Sequence, residues 1–261
     1  MMKKETTNLT FIAKHAIVEV NYHNCYQIII SLKNTFSTTI GDEKQLNLKS
    51  LVINKGIKHS CSVLDAMVVV YYIDSDSLQG RLLKTILKDE PYITIEQFVA
   101  PQVAENIYAH DFNIDSVALV TDFANNTLAK IFPVPYIPQK IDSRIEKALT
   151  YIDENLHKLI TLDELSSIIF LSSNRLRHLF IEEIGTSFSQ YIIWKRINII
   201  ITEVINGRKS MAEAAQHYGF SDQSHFSKLF KRMFGVSAKM MLKPNPYIHF
   251  LNLDIENVIM E

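Results

Sequence analysis

A short pattern occurs twice between Thr161 and Ser237, the copies set about fifty residues apart, and each copy carries its own start and stop signals for two helices. The first runs from Thr161 through Glu164 to Ser172, then Leu176, Leu179-Phe180 and Gly185-Thr186-Ser187. The second runs from Ser210 through Glu213 to Ser221, then Phe226, Leu229-Phe230 and Gly235-Val236-Ser237. A hydroxyl residue followed three positions later by Glu is the capping-box signature of a helix start. Apolar residues at i, i+3 and i+4 then mark a second helix, and a closing Gly suits a left-handed helix end. Two helices joined by a tight turn make a helix-turn-helix, and two such units in tandem point to a protein that reads DNA.

The charge distribution supports that direction. The chain of 261 residues has a formal net charge of −1, which argues against indiscriminate binding to nucleic acid. Between positions 208 and 243, however, Arg208, Lys209, Lys228, Lys231, Arg232, Lys239 and Lys243 are opposed only by Glu213 and Asp222. Such an excess is what phosphate contacts require, because neutralising phosphates releases counterions. The polar N-terminus leads into no apolar signal segment, and apolar runs such as 66–73 are too short to span a bilayer. A cytoplasmic location and no membrane partner are therefore expected. Cys25 and Cys61 are too few for a disulfide framework or a four-cysteine zinc site.

Short stretches rich in Val, Ile, Tyr and Thr at 17–20, 26–32, 36–40, 46–53 and 66–73 read as strands, at a spacing suited to a small barrel or sandwich. Helical periodicity takes over at 78–88, 95–108 and 114–132. Pro133, Pro135 and Pro138 then interrupt any helix or central strand and mark a boundary. Beyond it, helices are expected at 141–157, 161–170, 173–184, 187–206, 210–218, 223–234 and 237–243. The helix at 187–206 is unusually apolar and, at about 1.5 Å per residue, spans about 30 Å, close to one turn of B-DNA at about 34 Å. Residues after Pro244 and Pro246 have no clear assignment.

Residues 140–243 resemble the DNA-binding domain of the AraC/XylS family of bacterial transcription regulators. The resemblance rests on Leu171-Ser172, Leu176, Leu179-Phe180, Gly185-Thr186-Ser187, Tyr191 and Arg196, and on the run from Tyr218 through Asp222, Phe226, Phe230 and Lys231 to Ser237. Phe188 and Ala238 stand where the family usually has a proline at the first turn of a helix. With Ser172 and Asp222 as caps, the outer faces present Asn174, Arg177 and His178 in one copy and Gln223, Ser224, His225 and Lys228 in the other. The resemblance places base-reading positions in these two stretches. Arg177 suits guanine, and Asn174 and Gln223 suit adenine. Ser172, Lys195, Ser221, Lys231 and Arg232 are the expected phosphate contacts, which position without specifying. Arg196 is expected to hold a helix end or a carboxylate rather than DNA. A fragment of residues 138–246 is expected to bind a site of about 17–20 base pairs on its own.

In this family a barrel-like sensor and a helical dimerisation segment often precede such a domain, and the first half resembles a degenerate cupin. His23, Cys25 and Gln27 share one expected strand face, and His59 and Cys61 another. Cys25 occupies a position where a catalytic cupin has His, and no Glu follows at the required spacing. No metal or other cofactor is therefore expected, and these five residues are candidates for an effector pocket. The expected fold class is α+β: an N-terminal cupin-like β-barrel with following helices, then an all-α double helix-turn-helix domain. Its divisions are a sensor at 1–132 with a dimerisation segment at about 78–131, a linker at 133–140, a DNA-binding domain at 141–246 and a tail at 247–261. The expected function is a non-enzymatic, sequence-specific regulator, an activator modulated by a small-molecule effector. Its partners would be double-stranded DNA, a second copy of the chain and RNA polymerase. Two alternatives are a metal-dependent cupin enzyme with an accessory DNA-binding domain and a ligand-independent regulator whose barrel only dimerises.

Overall fold

In the computed structural model, residues 9–95 and 140–251 are described. They fall into two compact units, Met1–Pro138 with Arg232–Glu261, and Gln139–Lys231. The helices expected at 95–108 and 114–132, the proline-rich linker and most of the dimerisation segment lie outside the described residues.

The first unit is α+β and centres on a curled, wholly antiparallel sheet. Its strands are β1 (Leu9–Asn21), β2 (Tyr26–Lys33), β3 (Phe36–Ile40), β4 (Glu43–Leu48), β5 (Ser50–Ile53), β6 (His59–Ile73), β7 (Tyr92–Ile93) and β8 (Ile248–Leu251). The path runs β4-β3-β6-β2-β5-β7, with β1 pairing β6 and β8. β6 organises the sheet. One edge pairs along its length with β1, while the other meets β3 at His59–Ser62 and β2 at Met67–Ile73. Register shifts in the β1–β6 pair between Lys14 and Ala16, and between Val18 and Asn21, are the bulges that bend these long strands.

The middle of this sheet is covered on both faces. Ile28, Ile30, Val69 and Tyr71 pack with Leu82, Leu83 and Leu87 of helix α1 (Leu78–Leu87). Ser77 caps that helix by accepting from the Gly80 N–H. The opposite face presents Gln27, Ile29, Val68, Val70 and Tyr72 toward Phe234, Val236, Met241 and Ile248, around a small cavity. Burial on both sides explains why β2 and β6 read as continuous apolar runs rather than alternating ones. The unassigned C-terminal tail supplies β8, which pairs with β1 from Thr10↔Leu251 to Ala13↔Ile248. Gly235 makes that close packing possible. It sits at φ +67°, its carbonyl accepts from Glu19 N at 3.0 Å, and a Cβ there would come within 2.4 Å of the Glu19 carbonyl oxygen.

The second unit is all-α. It contains α2 (Ser143–Glu154), α3 (Leu162–Ile168), α4 (Ser173–Ile184), α5 (Phe188–Ile205), α6 (Met211–His217) and the larger part of α7 (Gln223–Phe234). Helix α7 crosses the division after Lys231, and α8 (Ala238–Leu242) belongs to the first unit. The compact unit is therefore narrower at its C-terminal end than the 141–246 span expected from the sequence. Helices α5 and α8 start at Phe188 and Ala238 without a proline, because Ser187 and Ser237 accept from the N–H groups of Gln190 and Met240. Trp194, Ile197, Ile200 and Ile201 make α5 the buried centre of the unit.

Candidate nucleic-acid interface

The first copy of the repeat folds as α3, a tight turn and α4. Ser172 caps α4 by accepting from Arg175 N at 3.3 Å, and Leu176, Leu179 and Phe180 are buried. That rotation leaves Asn174, Arg177 and His178 exposed on the outer face. The second copy folds as α6, a turn and α7. Asp222 Oδ1 accepts from His225 N at 2.7 Å, and this bond holds the Asp222 carboxyl below its ordinary pKa. Gln223, Ser224, His225 and Lys228 are all exposed. Ser221 lies 3.1 Å from Asp222 Oδ2 and 3.3 Å from His225 Nδ1, within the same capping network. Each group of base-reading candidates thus occupies the first turns of a helix, the end that enters a major groove in helix-turn-helix proteins.

The two starts are built unequally. Ser210 and Glu213 form a full capping box, with bonds of 3.2 and 2.9 Å in the two directions. In the first copy Thr161 accepts from Glu164 N at 3.1 Å, but the Glu164 carboxylate turns to the Tyr151 hydroxyl and to Lys158 at 3.9 Å. An ionised carboxylate prefers a hydroxyl donor and a cation to one backbone N–H, so the expected box is half formed.

The expected phosphate contacts divide. Ser172, Ser221 and Lys231 are exposed beside the candidate readers. Arg232 is exposed, belongs to the first unit and carries its guanidinium 5.7 Å from the Tyr22 ring centroid. Lys195 is placed otherwise. It is 6% exposed, lies 3.6 Å from Asp153 and sits over the Tyr191 ring, so desolvation and pairing withdraw it from a phosphate. The apolar length of α5, which buries Lys195 with it, was the available signal. Glu203 precedes the positive stretch at 208–243. It pairs with Arg208 at 3.5 Å and Lys209 at 2.6 Å, so the positive excess of the second copy is carried by α7 and by the exposed Lys239 and Lys243. Arg196 holds neither a carboxylate nor the last turn of α2 but the turn after it, donating to the carbonyls of Leu156 and Lys158 at 3.0 and 2.5 Å.

The effector-pocket candidates are gathered in the first unit; His59 and Cys61 share a face of β6 as expected, whereas His23 and Cys25 do not lie on a strand with Gln27. His23 and Cys25 precede β2, and only Gln27, His59 and Cys61 line the cavity, with Tyr72. His23 lies behind, its Nδ1 at 2.9 Å from the Cys25 carbonyl and its Nε2 at 3.2 Å from Gln27 Oε1. Gln27 donates onward to the Tyr72 hydroxyl at 3.2 Å. The His23 ring packs edge-on against His59 and Tyr72 at 5.1 and 4.9 Å. Burial, then the neighbouring His59, lowers the His23 pKa to about 3, while burial alone raises the Cys61 thiol to about 12. Both are therefore neutral near pH 7. The cavity is small, about 40 Å³, room for about one water. Among the described residues, no group of three or more His, Cys, Asp or Glu side chains is placed to hold a metal ion. No described helix is long and apolar enough to cross a membrane.

Comparison with known proteins gives this arrangement a context. A family model described as a helix-turn-helix domain matches residues 165–243. The probable transcriptional regulator LumQ of Photobacterium leiognathi is 37% identical over 87 residues, 33% of this chain and 35% of that protein. The arabinose operon regulatory protein of Salmonella typhimurium is 31% identical over 98 residues, 37% of this chain and 35% of that one. The chain thus spans about a third of the length of these curated relatives. An apo structure of a ToxT variant from Vibrio cholerae strain SCE256 covers 91% of this chain and 98% of its own, with a TM-score of 0.57 at 16% identity. A wild-type ToxT structure from the same strain, bound to an unsaturated fatty acid, covers 88% and 92%, with a TM-score of 0.53 at 16% identity. At such identities the likeness shows the fold.

Proposed function

From the premise that residues 165–243 are a helix-turn-helix domain of the AraC type, we propose that the chain is a sequence-specific, DNA-binding transcription regulator. The observation that carries this reading is the paired exposure of Asn174, Arg177 and His178 on α4 and of Gln223, Ser224, His225 and Lys228 on α7, each set at a capped helix start. The matched curated relatives are named as regulators, which favours regulation over the cupin-enzyme alternative. Arg177, Asn174 and Gln223 would discriminate bases, each contact worth about 1–3 kcal/mol, while Lys231 and Ser172 would meet phosphates.

The finer proposal is that the chain acts in the cytoplasm as a homodimeric activator that engages RNA polymerase and answers to a small effector in the first unit. Structures of ToxT, a protein of the same fold, bound to an unsaturated fatty acid or to a naphthalenyl-butenoic acid support the reading that this chain takes a small ligand. Here the cavity beneath Gln27, His59, Cys61 and Tyr72 would have to widen on binding, moving Phe234 or Met241. Selection from a random duplex library with the full-length chain tests the central reading, which predicts one enriched site with two separated half-sites. Arg177→Ala should then relax preference at one base pair. Lys231→Ala should weaken all sequences alike and reduce the salt slope by about one. A library that emerges unenriched would overturn the reading.

A further inference from the structure

The turns of the two copies are built by the same hydrogen bonds but hold different residues. Leu171 N donates to the Ser166 carbonyl at 3.0 Å, and Phe220 N donates to the Ala215 carbonyl at 3.0 Å. The residue just before each donor, Phe170 or Gly219, takes the left-handed conformation, at φ +57° and +82°. Glycine is the usual occupant of this helix-ending position. In the second copy a Cβ on Gly219 would come within 2.9 Å of the Arg196 guanidinium, which would have to shift to make room for it. In the first copy the position carries a phenylalanine whose surface is 92% exposed.

Two costs meet at Phe170. A left-handed conformation costs a residue with a Cβ about 1–2 kcal/mol. An aromatic ring left in water also forgoes burial. Glycine would remove both, so the ring has a use that the isolated chain does not display. Its place identifies the use. Phe170 is two residues from the cap Ser172, within about 7 Å along the chain. It therefore flanks the helix end that presents Asn174 and Arg177. Charge favours DNA as the occupant. On α4, Arg175 and Arg177 are matched by Glu182 and Glu183, whereas α7 carries Lys228, Lys231 and Arg232 with no acid. The first copy has the weaker electrostatic hold, and an uncharged contact would supplement it. In the major groove the apolar feature open to an aromatic ring is the thymine methyl group.

We propose that Phe170 is a specificity-determining DNA contact, its ring lying against a thymine methyl at the edge of the half-site read by α4. This rests on the reading of the chain as a sequence-specific DNA binder. The test measures dissociation constants of the full-length chain on its selected duplex, with each thymine of that half-site replaced in turn by deoxyuridine. One replacement should weaken the unaltered protein about fourfold, the worth of one buried methyl group. Phe170→Gly should weaken binding to the thymine duplex by a similar factor, lose sensitivity to that replacement and keep the salt slope of the unaltered protein. A raised melting temperature for Phe170→Gly would confirm that the turn still forms, and Phe170→Ala gives a second reading with the Cβ retained. If both variants bind the thymine duplex as tightly as the unaltered chain, and deoxyuridine weakens all three alike, the contact proposal falls and the ring faces a protein. If the unaltered chain selects no duplex, the DNA-binding reading itself has failed.

Discussion

His23 carries its chemistry in its surroundings. Burial and the adjacent His59 keep it neutral in the folded chain, with a pKa of about 3 against 6.5 for a free imidazole. Between those values the unfolded chain binds the extra proton, so this residue's contribution to stability is present above pH 6.5 and is lost as pH falls toward 3. Unfolding followed by chemical denaturation should show the first unit losing about 1 kcal/mol per pH unit below pH 6. His23→Gln should flatten that dependence while retaining one polar partner for Gln27. A profile unchanged by the substitution would mean that other groups govern acid sensitivity. At this scale the sequence was most legible where a residue's environment is local. The exposure of Asn174, Arg177 and Gln223 follows from a cap and a helical period. The burial of Lys195 depends on Asp153, and the pairing of Arg208 and Lys209 on Glu203, partners that a count of charges in one window does not reveal.

Elements of the second unit were legible nearly to the residue because their ends are chemically marked. Thr161, Ser172, Ser187 and Ser210 each cap the helix expected there, and Gly185 ends α4 in the left-handed conformation. The strands were harder to read. β1 begins at Leu9 and β6 at His59, before the apolar stretches that suggested them, and two-sided burial removed the alternation that would have set their faces. The unequal caps give a prediction. Ser210→Ala removes one arm of a reciprocal box and should destabilise α6 by about 1 kcal/mol. Thr161→Ala should cost less, because Glu164 is already anchored by Tyr151 and Lys158. Equal losses for the two in thermal melts would show that the second arm of the box contributes nothing.

Across the whole chain, the division at Lys231 changes what a DNA-binding fragment should contain. Residues 138–246 include Phe234, Val236 and Met241, which face the sheet of the first unit around its cavity. Freed from that sheet they become an exposed apolar patch, and such patches promote association. The fragment should therefore self-associate in sedimentation and bind the selected duplex more weakly than the full-length chain. A monodisperse fragment of undiminished affinity would show that the last turn of α7 and α8 hold their places unaided. The pairing of β8 with β1 has a consequence in time as well. Thr10 waits for Leu251, so the first sheet cannot be completed until the chain has been made through Leu251 and that strand has left the ribosome. Synthesis runs at about 5–20 residues per second, long enough for the helices of the second unit to form first. The sheet remains incomplete meanwhile, and the edge of β1 is the surface a chaperone would find during that interval.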